Sequence, residues 1–149
     1  MQHYPSNVGH LNCSPGTLFR NRQELSEARI HGPIQAGIWN DGSEYAVSIV
    51  VSGGYVDDED SVSSLLYTGQ GGRDAATGRQ VTDQELKRGN RGLFNSMKLK
   101  YPVRVIRGYQ VTHGPSKGYR YDGLFIVKRA IVEHSIDGPL IWRFELISQ

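Results

Sequence analysis

Glycine and proline interrupt this chain so often that long helices are excluded from most of it. The chain has 18 glycines and 6 prolines among 149 residues, and both residue types favour turns over regular elements. The segments between them are short and rich in β-branched residues, as in the run Val47, Ile49, Val50 and Val51. Such a pattern predicts many short strands joined by turns.

The hydrophobic pattern predicts more strands than helices. After an irregular arm over 1–16, a short helix is expected from Leu18 to Ile30. A second helix is expected from Thr82 to about Met97, because Thr82 and Glu85 have the spacing of a capping box. Strands are predicted over 45–51, 65–68, 102–109, 119–133 (interrupted at Asp122-Gly123) and 140–147. Without regular βαβ alternation, this is an α+β fold built on a β-sheet or barrel.

Composition limits the classes of protein to which the chain can belong. A length of 149 residues suits one domain. The single cysteine, Cys13, excludes a disulfide framework and a cysteine-rich zinc site. No apolar run approaches the roughly 20 residues of a membrane span, and the first thirty residues lack the order of a signal peptide. We therefore expect a soluble, intracellular protein that contacts no membrane.

Charge is distributed unevenly along the chain. Residues 57–74 carry five acidic residues and one basic residue, whereas residues 75–149 carry thirteen basic and six acidic residues. A basic half beside a compact acidic patch suits a nucleic-acid-binding protein with one special acidic position. An unevenly charged, solvated surface explains the composition equally well.

Two loops combine glycines with an aromatic residue where a predicted strand ends. The first is Ser52-Gly53-Gly54-Tyr55, followed by Asp57-Asp58, and the second is Tyr67-Thr68-Gly69-Gln70-Gly71-Gly72. Glycines let backbone amides approach a ligand, two tyrosines can hold a flat ring, and a carboxylate can accept from an amino group such as that of cytosine. Taken singly, each loop reads more often as a plain hairpin.

No metal, cofactor or catalytic group is predicted. The acidic run Asp57–Asp60 could hold a divalent metal, but such a run is usually a solvated turn. The five histidines are scattered without ligand spacing, and the zinc-deaminase signature is missing.

Taken together, the motifs resemble the SRA (SET- and RING-associated, SRA-YDG) domain. The resemblance covers about His31 to Leu146. Within the family, the chain most resembles the SRA domains of plant histone-lysine methyltransferases. It rests on the two loops above, on Lys87-Arg88-Gly89-Asn90, on Pro102–Gly108 and on Tyr121-Asp122-Gly123. It implies a single-domain, saddle-shaped twisted β-barrel of the SRA/PUA-like type with flanking helices over 31–149, preceded by an arm and short helix over 1–30.

The resemblance also implies which residues hold a base flipped out of duplex DNA. Tyr55 and Tyr67 would sandwich 5-methylcytosine, and Asp58, with Asp57 kept as the alternative, would read its Watson–Crick edge. The Thr68 amide would serve the base carbonyl, Gln70 would border the methyl group, and Gly53 and Gly54 would complete the base site. Gln35 would fill the vacated stack as a thumb. Further contacts with DNA would come from Arg79, Gly71 and Gly72.

Three functions remain open at this point. The first is a non-catalytic reader of duplex DNA containing 5-methylcytosine, with two domains on one duplex as an open possibility. The second is the recognition module of a modification-dependent restriction endonuclease, which could read 5-hydroxymethylcytosine; the third is a scaffold without DNA binding. The resemblance implies the nucleus for a eukaryotic chain and the cytoplasm for a bacterial one. The loop Asp74–Asp83 is shorter than in the vertebrate ligases, which favours tolerance of contexts other than hemimethylated CG.

Overall fold

A computed structural model describes residues 3–149, which form eight strands and two helices. The strands are β1 (Leu18–Phe19), β2 (Ile38–Trp39), β3 (Ser48–Val51), β4 (Glu59–Asp60), β5 (Ser64–Thr68), β6 (Val103–Gly108), β7 (Tyr119–His134) and β8 (Leu140–Ser148). The helices are α1 (Arg22–Glu27) and α2 (Arg88–Leu99). The prediction of a single small domain dominated by strands is confirmed.

All eight strands belong to one curved sheet. Its order is β2-β3-β6-β7-β8-β5-β4, with β1 paired to the side of β7. The β3–β6 pairing is parallel, and the other pairings are antiparallel. Backbone pairing does not close the sheet into the predicted barrel, because β2 and β4 remain at the two ends of the path.

The sheet is covered on both faces, so every residue of β3 and β6 is buried, including Ser48, Arg104 and Arg107. Alternate residues point to opposite faces. Ile49 and Val105 belong to a core cluster with Leu93 of α2. Val50 and Ile106 belong to a second cluster with Leu25 of α1. The two short helices therefore cover opposite sides of the same central strands.

Both helices are shorter than predicted. Leu18 and Phe19 pair with β7, and α1 begins only after Asn21, whose side chain accepts from the Glu24 amide at 3.0 Å. The predicted capping box is wrong: α2 begins at Arg88, and its N-cap residue Lys87 makes no side-chain capping bond. Long-range hydrogen bonds between residues 83–84 and β8 hold the preceding segment extended.

The motif Tyr121-Asp122-Gly123 forms a bulge within β7 rather than an interruption of it. Tyr121 pairs with Ile106 and Leu124 with Arg104, so two residues of β7 face one residue of β6. At the bulge, the Asp122 carboxylate accepts from the guanidinium of Arg107 at 2.7 Å. The motif therefore has a structural role at this bulge.

The N-terminal arm packs on the sheet although most of it is irregular. The buried Arg104 guanidinium donates to the carbonyls of Asn7 at 3.0 Å and Gly9 at 2.9 Å. His10 is hydrogen-bonded to the Tyr121 hydroxyl at 2.7 Å. Residues 1 and 2 of the predicted arm lie outside the described residues. Across 3–149 no helix is both long and apolar enough to cross a membrane.

We predict that Arg107 is the largest single ionic contribution to stability. Its side chain is 2% exposed and pairs with Asp60 and Asp122, so Arg107→Met leaves two half-buried carboxylates without that partner. We expect urea denaturation to show a loss of about 3–5 kcal/mol in the free energy of unfolding.

Arg129→Met is the matched control, because Arg129 also lies in a strand but its side chain is 62% exposed. Its pair with Glu145 should contribute about 0–1 kcal/mol. Equal losses in the two variants would contradict the special position of Arg107.

Candidate nucleic-acid interface

The two glycine–tyrosine loops meet although their strands are not neighbours in the sheet. The first loop follows β3 and the second follows β5, and three strands lie between them in the sheet. Curvature brings the strand ends together, and the Tyr67 hydroxyl donates to the Val50 carbonyl at 3.1 Å. The loops therefore enclose one cavity, hereafter the base pocket.

The base pocket has a volume of about 230 Å³. It is smaller than the roughly 300–1,000 Å³ of sites for drug-sized ligands and suits a single heterocycle. Its lining comes from three segments of the chain: Gln35, Ala36, Gly37, Val50, Ser52, Gly54, Tyr55, Asp58, Tyr67, Gln70 and Arg73. A larger groove of about 570 Å³ along α2 has no aromatic side chain in its lining.

Six of the twelve residues predicted for the site line the base pocket itself: Gln35, Gly54, Tyr55, Asp58, Tyr67 and Gln70. Gly53 lines a second cavity that shares Tyr55 and Asp58 with the base pocket. Gly71 and Gly72 line an adjoining groove that shares Gln70. Thr68 borders the pocket through its amide, whereas Asp57 and Arg79 face other partners.

The two aspartates left open by the sequence point to different places. Asp58 lines the base pocket. The carboxylate of Asp57 instead accepts from the Ser135 hydroxyl at 2.7 Å and from the Ile136 amide at 2.9 Å. Asp57 therefore ties the first loop to the turn between β7 and β8, and Asp58 is the carboxylate available to a ligand.

The carboxylate of Asp58 is half-buried and accepts a short hydrogen bond. One of its oxygens accepts from the Thr68 amide at 2.6 Å, so in this structure that amide serves Asp58. Burial raises the pKa of Asp58 to about 6, against the opposing effects of the Thr68 hydrogen bond and the charge of Arg143. At neutral pH the group is mostly ionised and acts as an acceptor.

Tyr67 forms the inner wall of the base pocket. It is 7% exposed, and burial raises the pKa of its hydroxyl well above the ordinary value, so it stays a neutral donor. A Cβ at Gly37 would lie 2.6 Å from that hydroxyl. Glycine at position 37 is therefore what allows the loop around Gln35 to approach Tyr67.

Tyr55 also lines the base pocket and is held by two contacts. Its hydroxyl accepts from the Gly71 amide at 3.1 Å. The guanidinium of Arg73 lies 4.8 Å from the centre of its ring and donates to the Gly54 carbonyl. Arg73 is not among the residues that the sequence predicted for the site; its position directly after Gly71-Gly72 was the signal available.

The second loop is held by two buried amide side chains that sequence reasoning did not assign to the site. Asn90 accepts from the Gln70 amide at 2.7 Å and donates to the Gln70 carbonyl at 3.0 Å. Gln84 donates to the Gly69 carbonyl at 2.6 Å. Gln84 belongs to the non-helical segment before α2 and Asn90 to the first turn of α2, so both elements hold the second loop beside the pocket.

Arg79 lies outside the base pocket, on the loop between Arg73 and Gln80. Its guanidinium is 3.4 Å from the Asp137 carboxylate, with the side chain 69% exposed. The Gln80 amide donates to the same carboxylate at 2.9 Å. The turn between β7 and β8 thus supports both this loop, through Asp137, and the first loop, through Asp57.

Residues 3–149 contain no group of three or more histidine, cysteine, aspartate or glutamate side chains arranged to hold a metal. The run Asp57–Asp60 is divided among partners: Asp57 binds the Ser135 turn, Asp58 the Thr68 amide, Glu59 the Arg143 guanidinium and Asp60 the Arg107 guanidinium.

The sequence of this chain is similar to the sequences of known proteins. The SAD/SRA domain model matches residues 7–149. The "Histone-lysine N-methyltransferase, H3 lysine-9 specific SUVH5" of Arabidopsis thaliana is 43% identical over 141 residues, which cover 88% of this chain. The chain spans only 18% of the length of that relative.

Solved structures give the same result. A modification-dependent TagI restriction endonuclease matches with a TM-score of 0.91 and 37% identity over 99% of this chain and 54% of its own. The SUVH5 SRA domain in complex with fully methylated CG DNA matches with a TM-score of 0.79 and 41% identity over 95% and 93% of the two chains. The same domain bound to fully hydroxymethylated CG DNA also has a TM-score of 0.79. The chain belongs to the SAD/SRA domain family.

Proposed function

We propose that the chain is a non-catalytic reader that binds duplex DNA containing 5-methylcytosine and holds the flipped base between Tyr55 and Tyr67. The observation that carries this proposal is the base pocket, in which both tyrosines and the half-buried Asp58 line one cavity large enough for a single ring. The DNA named for the SUVH5 SRA complexes supports the class of ligand.

The energetics of the pocket suit an extruded base. Flipping a nucleotide costs a few kcal/mol, and stacking on aromatic rings returns about 1–3 kcal/mol per base. The ionised Asp58 accepts from an exocyclic amino group and therefore selects cytosine over thymine, which carries a carbonyl at that position. Gln70, at the edge of the pocket, borders the methyl group. One methyl group supports a selectivity of about tenfold to a hundredfold.

The surface around the pocket suits the rest of the duplex. Arg73 lines the pocket, and Lys87 and Arg88 line the adjoining groove with Gly71 and Gly72. These groups, with Arg79 and the exposed thumb residue Gln35, contact the DNA around the flipped nucleotide and make binding dependent on salt. Each domain engages one modified base, so a fully methylated duplex offers room for two.

We propose that this domain only binds DNA and that any catalytic activity would belong to another domain or a partner. The enzymatic relative SUVH5 is several times longer than the matched segment. We propose that the SRA-YDG domain comprises residues 31–149 and that residues 1–30, the arm and short helix, precede it. A eukaryotic chain of this kind acts in the nucleus, on chromatin, and a bacterial one in the cytoplasm.

A second candidate function is the recognition module of a modification-dependent restriction endonuclease, which could read 5-hydroxymethylcytosine. The specific observation in its favour is the match to the TagI endonuclease over 99% of this chain. We expect no cleavage when this chain is incubated with methylated plasmid and magnesium, as checked by gel electrophoresis. Cleavage that depends on methylation would contradict the non-catalytic assignment and favour this second function.

The pKa of Asp58 predicts how selectivity depends on pH. Only a flipped base reaches Asp58, whereas the unmodified duplex binds mainly through its phosphates. Methyl-selective affinity is therefore full about one pH unit above the pKa of about 6 and falls as the pH drops through that value. Between pH 7.5 and pH 5 we expect the ratio of methylated to unmodified affinity to fall about tenfold, as measured by fluorescence anisotropy at fixed salt. Referring each value to the unmodified duplex removes the effect of other titrating groups.

Two variants test whether Asp58 is responsible. Asp58→Asn should have low selectivity and no pH dependence, because its amide does not ionise. Asp57→Asn is the matched control: its side chain faces Ser135 and Ile136, so it should keep the pH dependence. In the protein without substitutions, a methyl selectivity that stays constant from pH 5 to pH 7.5 would contradict the role of Asp58.

A further inference from the structure

The loop that carries Gln35 is fastened to the fold through its carbonyl oxygens. This thumb loop, residues 32–37, borders the base pocket through Gln35, Ala36 and Gly37. One terminal nitrogen of Arg22, at the start of α1, donates to the Pro33 carbonyl at 2.9 Å and to the Ala36 carbonyl at 2.6 Å. A single guanidinium therefore binds both ends of the Ile34–Gln35 tip.

His31 supplies a second fastening from the core. It is fully buried, and burial lowers its pKa to about 3, so the ring is neutral. Its Nε2 lies 2.9 Å from the Ala36 carbonyl and its Nδ1 lies 2.7 Å from the Ser48 hydroxyl. Since a carbonyl can only accept, Nε2 carries the proton and Nδ1 accepts from Ser48. A continuous chain of hydrogen bonds thus joins β3 to the thumb loop.

The same strand connects the thumb loop to the wall of the pocket. The Val50 amide donates to the Gly37 carbonyl at 2.8 Å, and the Val50 carbonyl accepts from the Tyr67 hydroxyl at 3.1 Å. The Gly37 end of the thumb loop is therefore fixed relative to the Tyr67 ring, on which a flipped nucleobase would stack.

The tip of the thumb loop is left open. Ile34 is 48% exposed and Gln35 is also exposed. Across residues 3–149 the Gln35 side chain has no hydrogen-bonding partner, in contrast to the carbonyls on either side of it. A side chain that is inserted into a duplex requires a firmly held loop and a free polar tip. The reason is that the side chains of a binding site must be placed within about 0.5 Å of their working position.

We propose that Arg22 is a positioning residue for base flipping: together with His31 it holds the thumb loop so that Gln35 occupies the space that the flipped base leaves. The inference rests on the proposed function and deepens it. Arg22 lies on α1, outside the two glycine–tyrosine loops, and it acts through Gln35 rather than on the base.

The test compares Arg22→Lys, Gln35→Ala and the double variant. A lysine keeps the charge but cannot reproduce the bridging geometry of the guanidinium. Each protein is titrated with a methylated and an unmodified duplex that carry 2-aminopurine beside the target cytosine, a base whose fluorescence rises when its neighbour leaves the stack. Arg20→Lys is the matched control, because Arg20 is exposed and pairs only with Glu24.

For Arg22→Lys we expect about a tenfold weaker affinity for the methylated duplex, the size of one lost charge-assisted hydrogen bond. We also expect a smaller fluorescence rise and unchanged binding of the unmodified duplex. The double variant should bind as Gln35→Ala does, because both changes remove one function. Arg20→Lys should match the unchanged protein.

Three results would overturn the proposal. Losses that multiply in the double variant would show that Arg22 and Gln35 act separately. An equal loss on both duplexes would make Arg22 a phosphate contact. A full fluorescence rise in Arg22→Lys would show that flipping does not need the clamp.

Thermal unfolding establishes that each variant is folded at the assay temperature. If Arg22→Lys is unfolded at the assay temperature, Arg22→Gln replaces it in the same comparison, because glutamine keeps one donor for the Ala36 carbonyl. Failure of the proposed function gives a different pattern, in which the unchanged protein already lacks methyl preference.

Discussion

The hydrogen bond from the Tyr67 hydroxyl to the Val50 carbonyl joins two strands, β5 and β3, that share no backbone ladder. It crosses the opening that an unclosed sheet leaves and sets the distance between the two glycine–tyrosine loops. Two other parts of the base pocket are attached next to this bond. The Val50 amide donates to the Gly37 carbonyl of the thumb loop. The amide of Thr68, the residue after Tyr67, donates to the Asp58 carboxylate. The base pocket therefore lies at the opening in the sheet.

The protein maintains this site against its own stability. A carboxylate whose pKa is raised to about 6 by burial makes folding less favourable as the pH rises from about 4 to about 6, because the ionised form prefers water. The Thr68 hydrogen bond offsets only part of this cost. A buried acceptor without a permanent cationic partner is typical of sites that recognise a ligand. Arg107 shows the contrasting arrangement, in which two carboxylates pair with a buried guanidinium and serve the fold.

Local patterns allowed the five longer strands and the two glycine–tyrosine loops to be predicted, because period and turn chemistry are properties of neighbouring residues. The two-residue strands β1, β2 and β4 were missed, since only their pairing defines them. Long-range contacts decided the rest. Asp57 and Asp58 are indistinguishable in sequence until Ser135, 78 positions away, engages one of them. Thr82 and Glu85 have the spacing of a capping box, yet Leu140 and Trp142 hold the intervening segment extended. The contacts of Arg73 with Tyr55 and of Arg22 with the thumb loop likewise exist only once the sheet is curved.

The most direct test of the base pocket is a fluorescence-anisotropy titration with matched duplexes of about a dozen base pairs at one fixed salt concentration. The duplexes are unmodified, hemimethylated and fully methylated, in CG and non-CG contexts, with a hydroxymethylated set beside them. A pocket that holds 5-methylcytosine between Tyr55 and Tyr67 predicts affinities about tenfold to a hundredfold higher for the methylated duplexes, in more than one context. Equal, weak binding of every duplex would contradict it.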